Sequence, residues 1–324
     1  MPIETLLTYG EIVDEIVKFT ALPQQEVEYR VWMEALCLGW NVTKDAKHFR
    51  VTPHHYDDKM QQLYQEGDGF IFETLVYWSR PNRQRWIQQA LERIHFYAEK
   101  NNLKPSEVEI IVFGDGTGND SLYLVKHGFN VYYFDVPGSK TYDFATKRFE
   151  HYGVLGSYIN IVSDYDSCLS GQYNIVISFE VLEHLTDPLS AIKDIASMLK
   201  VSGIAIITES FAGVLECLPT HLESNVKFAS KTPFLFFQNK MLLSWYSQER
   251  LFKPMEFTKL EKTTINDFIA LLSDYNVSKS YLSTKLRLFK HLGKRILKFP
   301  FWFLSILWMS LAWASSRAYV TDNK

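Results

Sequence analysis

The sequence predicts an α/β protein in which a helical amino-terminal region precedes a mainly parallel sheet, followed by a basic and apolar helical tail. Two observations carry the first part. Up to about residue 100, apolar side chains recur at helical spacing: Ile12, Ile16 and Phe19, then Val31, Leu36 and Leu38, and later the stretch from Trp86 to Phe96. From Val108 onward, short β-rich runs alternate with helical stretches, which is how successive strand–helix–strand units read.

The strands expected in order are Val108–Phe113, Asn130–Phe134, Tyr158–Val162, Tyr173–Phe179 and Ile204–Thr208. Helices are expected over Ser121–Lys126, stopped by Gly128, and from Asp187-Pro188 to Leu199, where aspartate caps the helix and proline fills its first position. The segment Phe211–Asn239, with Pro219, Pro233 and the cluster Phe234, Phe236 and Phe237, is too long for an ordinary connection and reads as a lid. Phe252–Leu260 supplies a last strand. These readings divide the chain into a helical region (1–104), a core with the lid at about 211–239 (105–262) and a tail (263–324).

At 324 residues the chain can bury a sizeable core, and 47% hydrophobic against 22% charged residues excludes disorder as the main reading. A net charge of −3 gives no global field for nucleic acid. Cys37, Cys168 and Cys217 lack metal-ligand spacing and read as reduced thiols. Met1-Pro2-Ile3-Glu4 lacks the basic and apolar runs of a secretory signal, so a cytoplasmic location is expected. At the other end, Phe299–Ser316 is uncharged and apolar, and follows Lys279, Lys285, Arg287, Lys290, Lys294, Arg295 and Lys298. That pattern favours an anionic membrane face, with residues 285–316 as the contact. A tail packed on protein is the alternative, and Pro300 sits awkwardly in a spanning helix.

The candidate site begins where the first strand runs into Gly114-Asp115-Gly116-Thr117-Gly118 and a helix follows. Glycines there let backbone N–H groups approach a ligand closely. The next strand ends at Asp135, about 20 residues on, where a carboxylate can accept hydrogen bonds from ribose hydroxyls. A dinucleotide fingerprint would need glycine at position 119, which is Asn119.

With Gly-x-Gly-x-Gly at Gly114, Gly116 and Gly118, Asp164 after the third strand, and Phe179-Glu180-Val181-Leu182-Glu183-His184-Leu185 after the fourth, the chain resembles the class I S-adenosylmethionine-dependent methyltransferases. The branch it resembles includes ubiquinone-biosynthesis O-methyltransferases and glycan or small-molecule methyltransferases. The resemblance covers about Glu107–Ser210 and implies a Rossmann-like core. It further implies that S-adenosylmethionine is held by Gly114, Asp115, Gly116, Gly118, Asp135, Asp164 and Phe179. One position departs from the family pattern: the acid expected two residues before the first glycine is Val112.

Methyl transfer from a sulfonium needs an oriented acceptor and removal of its proton. Read as a helix, Glu180 to His184 brings two carboxylates and an imidazole onto one face, with His184 as the base and Glu180 and Glu183 beside it. Some members resembling this motif hold a divalent metal on it, magnesium or manganese, with His221 as a further candidate; here a metal ranks behind a metal-free role. The acceptor implied is a small molecule or a lipid-linked glycan or quinone-like compound, methylated on oxygen. Two alternatives differ in class. An inactive, membrane-bound scaffold is suggested by Val112. An RNA methyltransferase would use the basic and aromatic run Trp78–Trp86, expected to be a helix junction with an exposed cationic face. His54-His55-Tyr56-Asp57-Asp58 reads as a solvated loop.

Overall fold

A computed structural model describes residues 8–215, 218–249 and 253–274, together with Leu307. Cys217, nearly all of the basic and apolar tail and the whole of its charged approach lie outside these residues. Among the described residues, no helix is long and apolar enough to cross a membrane.

Six helices precede the sheet: α1 (Tyr9–Phe19), α2 (Gln24–Leu36), α3 (Trp40–His48), α4 (Asp58–Glu66), α5 (Gly69–Trp78) and α6 (Pro81–Lys100). Their starts follow local chemistry. Thr8 and Glu11 form a reciprocal capping box on α1, Asp57 accepts from the Met60 N–H at the start of α4, and Pro81 opens α6.

The strands are β1 (Glu109–Phe113), β2 (Asn130–Phe134), β3 (Ile159–Ile161), β4 (Tyr173–Phe179), β5 (Leu199–Thr208), β6 (Met241–Tyr246) and β7 (Met255–Lys259). Their order is β3-β2-β1-β4-β5-β7-β6. The first five pair in parallel; β7 joins β5, and β6 joins β7, in antiparallel register. The crossovers are α7 (Asn119–Lys126), α8 (Lys140–His151), α9 (Tyr165–Ser170) and α10 (Pro188–Met198); α11 (Thr232–Phe237) and α12 (Ile265–Ser273) follow. Strand order reverses between β1 and β4, so the carboxyl ends of these two strands flank the crevice where such sheets bind ligands.

Residue alternation explains the layering. Ile110 and Val112 face one cluster with Trp86, Ile87, Ala90 and Phe149; Ile111 and Phe113 face another with Ile192, Ile195, Phe236 and Phe257. A third cluster joins Ile12, Ile16, Phe72 and Leu75 to Phe144 of α8, which fastens the amino-terminal helices to the core. At about 1.5–3 kcal/mol per fully buried large apolar side chain, these contacts dominate the attachment.

Five of the expected strands stand within a few residues of their expected ends. Strand β5 starts earlier, at Leu199, and the strand expected over Phe252–Leu260 is the shorter β7. Strand β6 was not anticipated: Met-Leu-Leu-Ser-Trp-Tyr has no clear alternation, and its burial depends on pairing with β7. The loop at His54 is exposed at His55 and Tyr56, as expected, and its backbone is also tied to the 211–239 segment: the His54 N–H donates to the Pro219 carbonyl at 2.7 Å and its carbonyl accepts from the Glu223 N–H at 3.1 Å. One further expectation needs correction. The Trp78–Trp86 junction lacks the expected cationic face, because Arg83 is buried against Asp120 and Arg80 reaches back to the Ala35 carbonyl at 3.2 Å. Only Arg85 projects substantially, and it pairs with Glu92 and Glu249.

Candidate functional site

The glycine turn between β1 and α7 is held from several sides. Gly114 and Gly118 have φ of 79° and 78°, angles that side-chain-bearing residues rarely adopt. A Cβ on Gly114 would lie 2.5 Å from Val181, so the segment after β4 packs directly on the turn. A Cβ on Gly118 would collide with the Phe149 ring. The Tyr133 hydroxyl donates to the Gly116 carbonyl at 2.7 Å.

Asp135 lies at the end of β2, half-buried. Its carboxylate accepts from the Gly116 N–H at 2.6 Å and from the Val136 N–H at 2.7 Å, while burial raises its pKa. Remaining lone pairs can still accept hydroxyl protons. Asp115 turns back on its own helix, accepting from the Asp120 and Ser121 N–H groups at 3.0 and 2.8 Å; burial, then the Asp120 charge, raises its pKa. Asp120 is itself buried between Trp78 Nε1, at 3.0 Å, and Arg83. Val112, at the position of the missing acid, is packed in the cluster that holds Trp78 and Trp86. Asp164 is exposed and caps α9 through the Ser167 N–H at 2.7 Å; that hydrogen bond keeps its pKa low. Phe179 is buried, with the Arg83 guanidinium 4.8 Å from its ring.

The segment after β4 is not the helix that the spacing suggested. Glu180 takes φ of 55°, and only Leu182–His184 form a short 3-10 turn, so Glu180 and Glu183 diverge. Glu180 accepts from Lys253 Nζ at 3.0 Å and from the Ser210 hydroxyl. Burial alone would raise its pKa, but the Lys253 charge and the hydrogen bonds outweigh that and hold it below the ordinary range.

Glu183 is fully buried, and neither carboxylate oxygen has a hydrogen-bond partner among the described residues. Burial, reinforced by the Glu180 charge, drives its pKa well up. Beside it, His184 Nδ1 lies 3.2 Å from the Thr220 carbonyl and 3.1 Å from the Tyr64 hydroxyl. A carbonyl only accepts, so the tautomer that satisfies Thr220 carries its proton on Nδ1 and leaves the Nε2 lone pair free. Burial lowers the His184 pKa and pushes that of His221 down to about 3.

The imidazoles of His184 and His221 stand 4.7 Å apart, centre to centre, and ligating atoms of Glu183, His184 and His221 all lie within 4.8 Å of one another. His221 thus joins Glu183 and His184, while the Glu180 charge acts on all three from its place beside Lys253. Lys253 neutralises Glu180, and the 211–239 segment delivers His221. The sequence offered His221 as a further candidate without any spacing that requires it, and gave no sign of Lys253, Ser210, Tyr64 or Thr220, which arrive from remote parts of the chain.

A family model described as a methyltransferase domain matches residues 80–266, more than half of the chain. The chain belongs to this methyltransferase family. It carries a class I S-adenosylmethionine-dependent methyltransferase domain, with the turn at Gly114–Gly118 and the segment after β4 at the expected strand ends. Similar solved structures include the CurJ carbon methyltransferase, at 14% identity over 59% of this chain and 58% of that one, with a TM-score of 0.46. Another is an O-methyltransferase of a Brevibacillus brevis multienzyme in complex with S-adenosylhomocysteine, at 14% identity over 43% of this chain and 48% of that one, with a TM-score of 0.33. A third is a putative sarcosine dimethylglycine methyltransferase from Galdieria sulphuraria, at 12% identity over 86% and 93% of the two chains, with a TM-score of 0.41. This methyltransferase thus spans less than two thirds of the first two; at such identities the likeness is one of fold alone. No curated protein sequence matches the chain.

The buried Glu183 has a measurable signature. Its raised pKa means that the folded state loses stability as pH climbs from the unfolded carboxyl value toward the folded one. Glu183→Gln removes that loss. In EDTA, the variant should melt above the wild type at pH 8, and the gap should shrink toward pH 5. A gap that stays constant or widens on acidification would contradict a protonated, partnerless Glu183.

Proposed function

We propose that the chain transfers the methyl group of S-adenosylmethionine to the hydroxyl of a small-molecule or lipid-linked acceptor. The observation that carries this is the packing of Val181 on Gly114, which sets the Glu180–His184 segment directly beside the glycine turn. Beside the turn, Asp135 offers a ribose-binding carboxylate, oriented by the Gly116 N–H from which it accepts a hydrogen bond; Asp115 and Gly118 shape the turn, and Phe179 and Asp164 stand at the ends of nearby strands. His184, with its Nε2 lone pair free, is the base that takes the acceptor proton as the oxygen attacks the methyl group in line. Glu180 acts indirectly, its charge held by Lys253, while burial, reinforced by that charge, raises the pKa of Glu183. The 211–239 segment, bearing His221 and Thr220, closes the acceptor side. His184→Ala should leave S-adenosylhomocysteine affinity within about threefold and lower transfer to hydroxylated acceptors by about 10²–10⁴-fold. A loss below tenfold would remove His184 as the base.

A second reading of the same residues has its own support. Two partnerless oxygens on Glu183, an unpaired Nδ1 on His221 and a neighbouring His184 fit a divalent cation. Two imidazoles and one carboxylate suit manganese or zinc better than magnesium. When bound, such an ion would lower the pKa of an acceptor hydroxyl. Manganese or zinc should then raise the melting temperature of the wild type but not of His221→Ala; equal shifts in both would dismiss this reading.

The acceptor class also draws on the tail. The basic run from Lys279 to Lys298 and the apolar stretch to Ser316 favour residues 285–316 as a contact with an anionic, cytoplasmic membrane face. Full-length protein should sediment with vesicles containing phosphatidylserine, and a chain ending at Lys279 should not. Identical partitioning would leave the lipid-linked acceptor without its support. The engagement of Arg80 and Arg83 within the protein supports a small-molecule or lipid-linked acceptor over RNA.

A further inference from the structure

Helix α12 is nearly bare. Of its 9 residues, Ile265–Ser273, only Leu271 is buried, while Ile265, Phe268, Ile269 and Leu272 are 74, 39, 52 and 47% exposed. Spaced i, i+3, i+4 and i+7, these side chains form a single apolar stripe. Among the described residues, no other helix or strand carries more than two large hydrophobic side chains so exposed. The acids near the helix do not interrupt the stripe. Asp267 lies two residues from both Ile265 and Ile269, on the opposite side, and accepts from the Thr264 N–H and hydroxyl at 2.7 Å. Asp274, just past the end, accepts from the Tyr246 hydroxyl at 3.1 Å.

Leu271, the Phe268 ring 5.5 Å from that of Phe237 at the end of α11, and Asp274 on Tyr246 of β6 attach the helix to the core. A contiguous apolar face that is left open marks a contact surface, and the charges around it name the kind of partner. In sequence the stripe runs straight into Lys279, Lys285, Arg287, Lys290, Lys294, Arg295 and Lys298, with no acid between Asp274 and Asp322. Ahead of the helix, Lys240 and Lys262 are exposed, with Glu261 as the acid beside them. The Lys240 carbonyl accepts from the Leu260 N–H at 2.9 Å, which sets that lysine at the approach to α12. An apolar stripe framed by cations matches the boundary between acyl chains and anionic headgroups.

We propose that the Ile265–Leu272 stripe seats the methyltransferase core on an anionic lipid surface. The proposal rests on the membrane contact read above from residues 285–316 and adds to it an element of the core, which gives the contact an orientation. Phe237, beside Phe268, lies near the end of the 211–239 segment that bears Thr220 and His221. Tyr246, beside Asp274, pairs with Met255 of β7, two residues from Lys253. A lipid surface at α12 therefore borders the segment that closes the acceptor side of the crevice, as a headgroup-borne acceptor requires. Stripe and basic run act together, the apolar side chains by burial and the cations by attraction to the headgroups.

The test uses full-length wild type and the variant Ile265→Gln/Ile269→Gln/Leu272→Gln, which keeps Phe268 on Phe237 and replaces exposed residues by a good helix former. Both are sedimented with phosphatidylcholine vesicles that carry about 30% phosphatidylserine. Amide exchange of residues 265–273 is followed in the wild type with and without the vesicles. The variant should partition at least about tenfold more weakly than the wild type while melting within about 2 °C of it. In the wild type, the α12 amides should exchange more slowly on vesicles than in buffer; if the variant melts low, this measurement decides. A stable variant that partitions within about twofold of the wild type overturns the proposal and leaves the tail as the whole contact. Exchange in α12 that vesicles leave unchanged overturns it as well. So does exchange as slow in buffer as that of the packed α10, which would mean that protein already covers the stripe, or a wild-type dimer that the variant dissolves, which would put a second copy there. Wild type that ignores the vesicles overturns both this proposal and the tail reading, whereas S-adenosylhomocysteine affinity in the same samples judges the methyl-transfer reading separately.

Discussion

The site depends on one buried guanidinium. Arg148 of α8 donates to Glu15 of α1 at 2.7 Å, to the Thr117 carbonyl at 2.5 Å and to Asn119 Oδ1 at 2.8 Å, and it is 2% exposed. One side chain thus ties the amino-terminal helices to the turn that approaches the cofactor. The Tyr152 hydroxyl completes Glu15 at 2.9 Å, so neither charge is left without a partner. Removing one member of such a pair strands the other in a dry interior, which costs far more than the pair's net worth. The consequence for function is placement: α5, fastened to α1 and α2 by the cluster around Phe72 and Leu75, keeps Thr74 over Gly116.

A second constraint is the division of charge after β4. Two glutamates three residues apart would repel on a common face. The left-handed turn at Glu180 sets one beside Lys253, whose charge lowers its pKa against the effect of burial, and leaves the other buried, which raises its pKa. The positive φ at Glu180 is an unusual angle for a non-glycine residue and belongs to the backbone distortions that gather at functional sites. Around this pair, burial lowers the pKa of both His184 and His221, which favours the neutral imidazoles.

Much of the core was legible because its signals are local. Tyr-Asn-Ile-Val-Ile-Ser-Phe reads as a fully buried strand, and Asp187-Pro188 announces a helix that begins at Pro188, with the Asp187 side chain accepting from the Ser190 N–H. The glycine spacing and Asp135 were legible for the same reason, since a turn and the following strand end lie within about 20 residues. The partnering of the segment after β4 was not. Lys253 lies 73 residues from Glu180, and Tyr64 lies 120 residues before His184. No spacing rule reaches that far. The same limit explains the misread cationic face at Trp78–Trp86, where Arg83 is drawn inward by Asp120 in the first turn of α7.

The central claim is that the Gly114–Gly118 turn and Asp135 hold S-adenosylmethionine. Calorimetric titration with S-adenosylhomocysteine tests it most directly, with Asp135→Ala as the variant and NADH as the comparison ligand. The account predicts micromolar binding by the wild type, at least tenfold weaker binding by the variant and none of NADH. Tighter binding of NADH, or an affinity for S-adenosylhomocysteine unchanged by loss of the Asp135 carboxylate, would contradict it.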